Sequence, residues 1–283
     1  MKKKTKITVI ICVVCFLIGV VAGYMTYNYL NFGPIKAKEP VSIKTSSVED
    51  TSDVFMIAHR GFSAIAPENT LEAFQEACDE GFFGSEFDIH LTSDGQWVVI
   101  HDANIKKMTG RKGVVEEMTL EELREIPLTN GANIEKYDSV YIPTLEETLS
   151  LLSGYDTAPV IEIKTATDEK MDEILALLEK YDMLEKAWII SFEKEPLLKL
   201  RELSGDIKIS YLVHEVTEEA INFCLDNKLN GVDFNKKNAG EEQVKMILDA
   251  GLVPQVWTVD LIEDFERFYS YGVRYFTGNC LTY

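Results

Sequence analysis

The feature that most constrains the fold is the alternation of short apolar runs with amphipathic stretches from residue 54 to the C-terminus. Stretches such as 168–181, 218–227 and 241–251 place apolar residues three and four positions apart, which predicts helices. Strands that alternate with helices are typical of a parallel sheet covered by helices. The apolar runs, rich in β-branched and aromatic residues, are 54–59, 85–91, 97–102, 159–164, 187–192, 207–212, 231–235, 253–259 and 273–278.

The number of runs favours an α/β fold of the (β/α)8 TIM-barrel type, because eight principal strands in about 230 residues fit a closed barrel better than an open sheet. An open sheet usually carries a Gly-rich phosphate loop after its first strand. In this chain the corresponding segment reads AHRGFSAIAPENT instead. Residues 104–141 are long and irregular, so we expect an insertion after the second strand. The chain ends soon after its last run. A full eighth helix has no room, and the gap is either covered by residues before the barrel or left open.

The N-terminus has the pattern of a membrane anchor. Four lysines in the first six residues precede the uncharged apolar run 7–25. A run of this length can cross a bilayer and exceeds the apolar core of most cleaved signal peptides, which is the alternative reading. The lysines place the N-terminus inside and the rest outside the cell. The predicted organisation is a basic cytoplasmic tail (1–6), a single transmembrane helix in the cell membrane (7–28), an extracellular stalk (29–52) and the barrel domain (53–283).

The charge distribution excludes one class of partner. The formal net charge is −19, and the first 48 residues contribute +6, which leaves −25 for the remainder. A nucleic-acid surface needs a basic protein face, so no nucleic-acid partner is expected. The cysteines show neither metal-type spacing nor a disulfide framework.

Acidic side chains at the strand ends indicate a cation site. Functional groups in a TIM barrel collect at the C-terminal ends of the strands. Glu86 and Asp88 are two residues apart and therefore share one face of a strand, and Glu162 lies in the next parallel run. Each acid alone reads as a surface or ion-paired carboxylate. Together in one barrel mouth they require a counter-charge, which one divalent cation, Ca²⁺ or Mg²⁺, would supply.

Histidines and cations at the same strand ends indicate chemistry on an oxyanion ester. His59 and His101 can deprotonate a nucleophile and protonate a leaving oxygen. Arg60 and Lys164 supply positive charge that suits a phosphate. Trp257 ends a later run and forms either an apolar wall for the substrate or part of the core, as does Phe62. His90 reads as structural or peripheral, while the role of His214 stays open.

Several short motifs occur in order along almost the whole barrel region: HRG (59–61), PENT (67–70), EFDIHLTSDG (86–95), VVIHD (98–102), IPTLEE (142–147), IEIK (161–164), ISF (190–192) and VWTVD (256–260). With them the sequence resembles the glycerophosphodiester phosphodiesterase family. The resemblance implies a TIM barrel that hydrolyses glycerophosphodiesters to glycerol 3-phosphate and an alcohol.

The resemblance also implies roles for individual residues. His59 and His101 match the acid–base pair, and Glu86, Asp88 and Glu162 match the metal ligands. Arg60 matches the residue at the phosphate, and Lys164 matches the lysine of the third-strand motif. The end of the chain, GVRYFTGNC, departs from the family pattern, so we expect the pocket rim to differ there.

Substrate and mechanism stay open at this point. Small-molecule substrates of the implied type are deacylated headgroup diesters, lysophospholipids or polyglycerol-phosphate wall polymers. The nucleophile is either the glycerol 2-hydroxyl, which gives a cyclic phosphate, or water. A second interpretation is phospholipase D-like cleavage of lysolipids or sphingolipids. A third is a catalytically silent surface-binding barrel, which predicts a broken set of site residues, whereas the set is intact.

Overall fold

The computed structural model describes Val20, Gly23 and residues 33–165, 167, 168 and 170–283. Within these residues eight parallel strands form one barrel, in which β1 pairs with both β2 and β8 and so closes the sheet. The strands are β1 Phe55–Ala58, β2 Gly84–Leu91, β3 Ala158–Ile163, β4 Trp188–Ser191, β5 Lys208–Val213, β6 Gly231–Asn235, β7 Val253–Trp257 and β8 Tyr275–Gly278. The prediction of a (β/α)8 TIM barrel is confirmed.

Three of the helices on the outside of the barrel begin at a threonine whose side chain caps them. The side chain of Thr70 accepts a hydrogen bond from Ala73 N at the start of the first helix, which ends at Gly81 with a positive φ of 81°. Thr144 and Glu147 form a capping box on the second. The helices are α1 Leu71–Glu80, α2 Leu145–Leu152, α3 Met171–Lys180, α4 Lys194–Leu203, α5 Glu218–Asp226, α6 Glu241–Asp249 and α7 Ile262–Ser270.

The insertion lies after β2 and its antiparallel hairpin strand Trp97–Val99, as expected. It contains the short helices Lys106–Thr109 and Leu120–Arg124 and two 3-10 turns, Val115–Glu117 and Ile134–Lys136. Its buried residues, among them Ile105 and Leu123, form an apolar cluster separate from the main core. This local core gives the insertion a fixed position beside the mouth of the barrel.

Residues before the barrel pack against the short segment that follows β8, where the structure describes no further helix. The strand Val41–Ser42 pairs in parallel with Leu281–Thr282, and Ile43 is completely buried. The Lys38 backbone N–H also donates to the Ala64 carbonyl at 2.8 Å. The described part of the predicted stalk, residues 33–52, is therefore packed against the barrel rather than spaced away from it.

The predicted transmembrane segment, 7–28, lies outside the described residues except for Val20 and Gly23. Among the helices that the structure describes, none has both the length and the apolar character needed to cross a bilayer.

Candidate active site

A cavity of about 310 Å³ opens at the C-terminal ends of the barrel strands. Seven of the eight side chains selected from the sequence line it, namely His59, Arg60, Glu86, His101, Glu162, Lys164 and Trp257. The eighth, Asp88, is only 1% exposed and lies directly behind this wall, within 3.5 Å of Lys164 Nζ. Barrel closure therefore brings together residues that are up to about two hundred positions apart in the chain.

Three buried carboxylates form a compact cluster on β2 and β3. One oxygen each from Glu86, Asp88 and Glu162 lies within 4.8 Å of the others. The Lys164 ammonium donates to Glu162 Oε1 at 2.9 Å and faces Asp88 Oδ1 at 3.5 Å. Oxygen atoms of this kind and spacing are what a hard divalent cation binds.

The charge balance of the cluster favours binding of a cation. Burial, followed by repulsion from Asp88, raises the pKa of Glu162 to about 8. The same two causes raise the pKa of Glu86 well above its usual value. Burial opposes ionisation of Asp88 too, but the charges of Arg60, His101 and Lys164 outweigh it and lower its pKa. Asp88 Oδ1 also has no hydrogen-bond partner among the described residues, so the acids present suit a divalent ion.

The turn after β1 needs its unusual backbone. Arg60 adopts a left-handed conformation with φ of 59°, and its N–H donates to Glu86 Oε2 at 2.8 Å. Gly61 follows with φ of 74°, and a Cβ there would lie 2.7 Å from the backbone of Ala73 in α1. This close approach explains the glycine of the HRG motif. The Arg60 guanidinium then lies 3.1 Å from Glu68 and 3.6 Å from Asp88.

His59 is held in one tautomer by a chain of hydrogen bonds. Its Nδ1 lies 2.8 Å from Asn279 Oδ1, while the Asn279 amide NH₂ donates to Asp260 Oδ2 at 2.8 Å. Because the amide nitrogen is fixed on Asp260, its oxygen must accept from His59, and the proton lies on Nδ1. The unprotonated Nε2 then faces the cavity, 4.0 Å from Glu86. Burial and then the charge of Arg60 lower the pKa of His59 to about 4, so this ring is neutral at pH 7.

His101 has a carboxylate behind it instead of an amide. Its Nδ1 lies 2.8 Å from Asp102 Oδ1, which leaves Nε2 free for the cavity. His90, the buried histidine of β2, places Nε2 3.1 Å from the His101 carbonyl oxygen and Nδ1 2.7 Å from Glu116 of the insertion. His90 is thus structural, as expected, and it ties the insertion to the loop that carries His101.

The PENT motif contributes two side chains to the site, those of Asn69 and Glu68. Asn69 is buried, and its amide NH₂ donates to Asp88 Oδ2 at 2.8 Å, so it orients this acid. Glu68 bridges Arg60 at 3.1 Å and Lys107 of the insertion at 3.0 Å. The last residue of the motif, Thr70, caps α1.

One wall of the cavity is aromatic. Trp257 meets Phe192 edge-on with ring centroids 6.0 Å apart, and the exposed ring of His214 lies 5.9 Å from Trp257. Phe62 does not contribute, because it is 1% exposed and packs against Phe82 in the core. Of the two apolar candidates from the sequence, only Trp257 faces the cavity.

The unusual C-terminal motif has a structural explanation. A Cβ at Gly278 would collide with the carbonyl oxygen of Val259, so the β7–α7 loop crosses directly over this position. The next residue, Asn279, is the hydrogen-bond partner of His59. The altered end of β8 is therefore part of the site, and sequence reasoning missed Asn279, Asp260 and Asn69 although all three lie in or beside motifs that it quoted.

Comparisons with known proteins agree with this geometry. The model of the glycerophosphoryl diester phosphodiesterase family matches residues 59–279. A glycerophosphodiester phosphodiesterase from Caldanaerobacter subterraneus is 33% identical over 225 residues, which cover 77% of this chain and 90% of the relative. A solved enzyme of this kind from Thermotoga maritima is 27% identical with a TM-score of 0.64, over 80% of this chain and 94% of the other.

A second solved structure shows the same fold with a bound product. It is an Oleispira antarctica phosphodiesterase in complex with sn-glycerol 3-phosphate, 24% identical with a TM-score of 0.72, over 84% of this chain and 96% of that one. The family match covers most of the present chain, and the Caldanaerobacter relative is similar over nearly its full length. The chain therefore belongs to the glycerophosphodiester phosphodiesterase family and is an enzyme of that kind, a phosphoric diester hydrolase.

Proposed function

We propose that the enzyme hydrolyses glycerophosphodiesters to sn-glycerol 3-phosphate and an alcohol by acid–base catalysis between His59 and His101, with one divalent cation, Ca²⁺ or Mg²⁺, as cofactor. The observation that carries the proposal is the arrangement of the two imidazoles. Both line the cavity of the acid cluster, and each has one ring nitrogen tied to a fixed partner. The other nitrogen of each ring is left for the reacting atoms.

The different partners assign the two roles. His59, neutral and paired with an amide oxygen, suits the base that takes the proton of the attacking hydroxyl. His101 is backed by the Asp102 carboxylate, which stabilises an imidazolium and suits the acid. As the bond from phosphorus to the leaving oxygen breaks, His101 delivers its proton to that oxygen. The attacking hydroxyl belongs either to water or to glycerol C2, and in the second case a cyclic phosphate is then opened by water.

The remaining polar residues hold the phosphate and its charge. Glu86, Asp88 and Glu162 would bind the cation, which would supply Lewis-acid stabilisation of the phosphoryl oxygens. Arg60 and Lys164 line the same cavity and present cationic donors to those oxygens. The phosphate thus lies against β1–β3, and the aromatic wall of Trp257 faces it from the other side of the barrel.

The direct test is product analysis. The purified protein with added Ca²⁺ or Mg²⁺ is expected to release glycerol 3-phosphate from glycerophosphocholine, measured by a coupled dehydrogenase assay. EDTA is expected to remove turnover and excess cation to restore it. Turnover that is unchanged in EDTA would show that the cation assignment is wrong. Release of phosphocholine instead would show that a different ester bond is cleaved.

We also propose that residues 7–28 anchor the enzyme in the cell membrane with the catalytic domain outside the cell. The support is the 19-residue uncharged run 7–25 behind four lysines. In cells, the full chain is expected in the membrane fraction and accessible to protease added outside. A matched variant with Val13 and Val14 changed to aspartate is expected to leave the membrane. Recovery of the unaltered chain in the soluble fraction, shortened at its N-terminus, would support a cleaved signal peptide instead.

A further inference from the structure

Buried polar groups occupy the side of the barrel opposite the acid cluster. Asp233 on β6 and Gln255 on β7 are paired in register and are 3% and 1% exposed. Asp233 Oδ1 and Gln255 Oε1 have no hydrogen-bond partner among the described residues. Asp233 lines the catalytic cavity, but it is not a member of the cation cluster. The mechanism proposed above does not use it.

Unpartnered buried oxygens require an explanation. Leaving such a group unsatisfied costs about 1–3 kcal/mol, so native proteins usually pair it with protein, water or ligand. Strand order places β6 four positions from β2, which in a barrel of eight is the opposite wall. Asp233 therefore faces the acids across the cavity, and a substrate held at the cation reaches toward it.

The chemistry at Asp233 selects a neutral hydroxyl group. Burial and then the charge of Glu162 raise its pKa well above the usual value, and among the described residues no cationic side chain offsets this shift. A phosphate has no cationic partner here, whereas Arg60 and Lys164 offer one on the other wall. A carboxyl group in its neutral form both donates to and accepts from an alcohol. The adjacent apolar side chain of Leu212 suits a carbon skeleton.

We propose that Asp233, with Gln255 behind it, binds the terminal hydroxyl of the glycerol moiety and so selects deacylated diesters over lysophospholipids. This rests on the proposed function for the position of the phosphate. In a lysophospholipid the terminal hydroxyl is esterified, which removes the donor and directs an acyl chain at the wall that holds the buried Asp233. A site built for a hydroxyl strongly rejects an analogue without it, because its own polar groups then stay unpaired.

The test compares two substrates that differ in one oxygen. Glycerophosphocholine carries the terminal hydroxyl, and 2-hydroxypropylphosphocholine has hydrogen in its place. The unaltered enzyme is expected to prefer the first by about 100-fold or more in kcat/KM. Asp233→Val is expected to reduce this ratio to near one, mainly through loss on glycerophosphocholine, whereas Asp233→Asn retains most of it. Ser210→Ala, a buried polar neighbour on β5 that does not line the cavity, is expected to keep the ratio.

Two results would overturn the proposal. One is a ratio in Asp233→Val equal to that of the unaltered enzyme, including an equal loss on both substrates. The other is turnover of lysophosphatidylcholine with a kcat/KM close to that of glycerophosphocholine.

Binding separates this proposal from the proposed function. Calorimetry on the cation-loaded protein compares glycerol 3-phosphate with propane-1,2-diol 1-phosphate, which lacks the terminal hydroxyl. If neither diester is turned over, a preference for glycerol 3-phosphate that Asp233→Val abolishes would uphold the subsite while the proposed reaction fails. Equal binding of the two phosphates would overturn the subsite, whatever the catalytic result.

Discussion

Asparagine in place of His59 or His101 is expected to lower kcat for glycerophosphocholine by about 10²- to 10⁴-fold, the usual contribution of a positioned acid or base. Asparagine can still hydrogen-bond, but it cannot carry a proton between the reacting atoms. The measurement is steady-state kinetics with saturating cation. His214→Asn is a matched control, because His214 also lines the cavity but contacts the aromatic wall. It is expected to keep kcat within the same order of magnitude.

The leaving group distinguishes the two histidines. A glycerol phosphodiester of 4-nitrophenol releases a phenolate that needs no proton, so His101→Asn is expected to lose little activity on it. His59→Asn is expected to remain impaired, since the nucleophile must still be deprotonated. The reverse pattern would exchange the acid and base assignments. Unimpaired turnover of glycerophosphocholine by either variant would remove that histidine from the mechanism.

Much of this site is predictable from local sequence because the barrel imposes a simple rule. A side chain at the C-terminal end of an inner strand faces the mouth, and the two-residue spacing of Glu86 and Asp88 places both on the inner face. Glu162 follows from the same rule on β3. These positions need only strand boundaries to within one residue, and the apolar runs supply them.

The partners of these residues could not be predicted in the same way. Asn279 contacts His59 across 220 positions, and this contact exists only because β8 closes on β1. Glu116 reaches His90 from the insertion, whose path has no periodicity to read. The packing of residues 33–52 on the barrel could not be predicted either, because the buried Ile43 lies in a polar segment that resembles a spacer. From the sequence, Asp233 could be assigned only to a strand, because whether its side chain points into the barrel depends on the register of that strand.

The cation site is expected to make stability depend on pH in opposite ways with and without the metal. In the metal-free protein, the folded state keeps a proton on Glu162 until the pH reaches about 8, whereas the ordinary pKa is 4.5. The folded state then binds more protons than the unfolded chain between these values. Stability in EDTA is therefore expected to fall as the pH rises from about 5 to about 8. One pKa unit corresponds to about 1.4 kcal/mol, so the change is on the order of a few kcal/mol.

Glu162→Gln tests this explanation, because glutamine keeps the hydrogen bond from Lys164 and removes the charge. In EDTA at pH 8 the variant is expected to unfold at a higher temperature than the unaltered protein and to show a flatter dependence on pH. With Ca²⁺ or Mg²⁺ the order reverses. Cation at 100 times its Kd stabilises the unaltered protein by about 2.7 kcal/mol, and the variant loses most of this gain.

Glu68→Gln is the matched control, since Glu68 is a partly buried acid of the same type beside the cluster. Burial opposes its ionisation, but Arg60 and Lys107 outweigh burial and lower its pKa. Its ionised form therefore stabilises the fold at neutral pH, so this variant is expected to be less stable with and without cation, while the cation still raises its unfolding temperature. If Glu162→Gln also destabilised the protein in EDTA at pH 8, repulsion among the three carboxylates would not limit the stability of the metal-free protein. The charge of these acids would then no longer support a bound cation. Thermal unfolding of the three proteins between pH 5 and pH 8 decides the question.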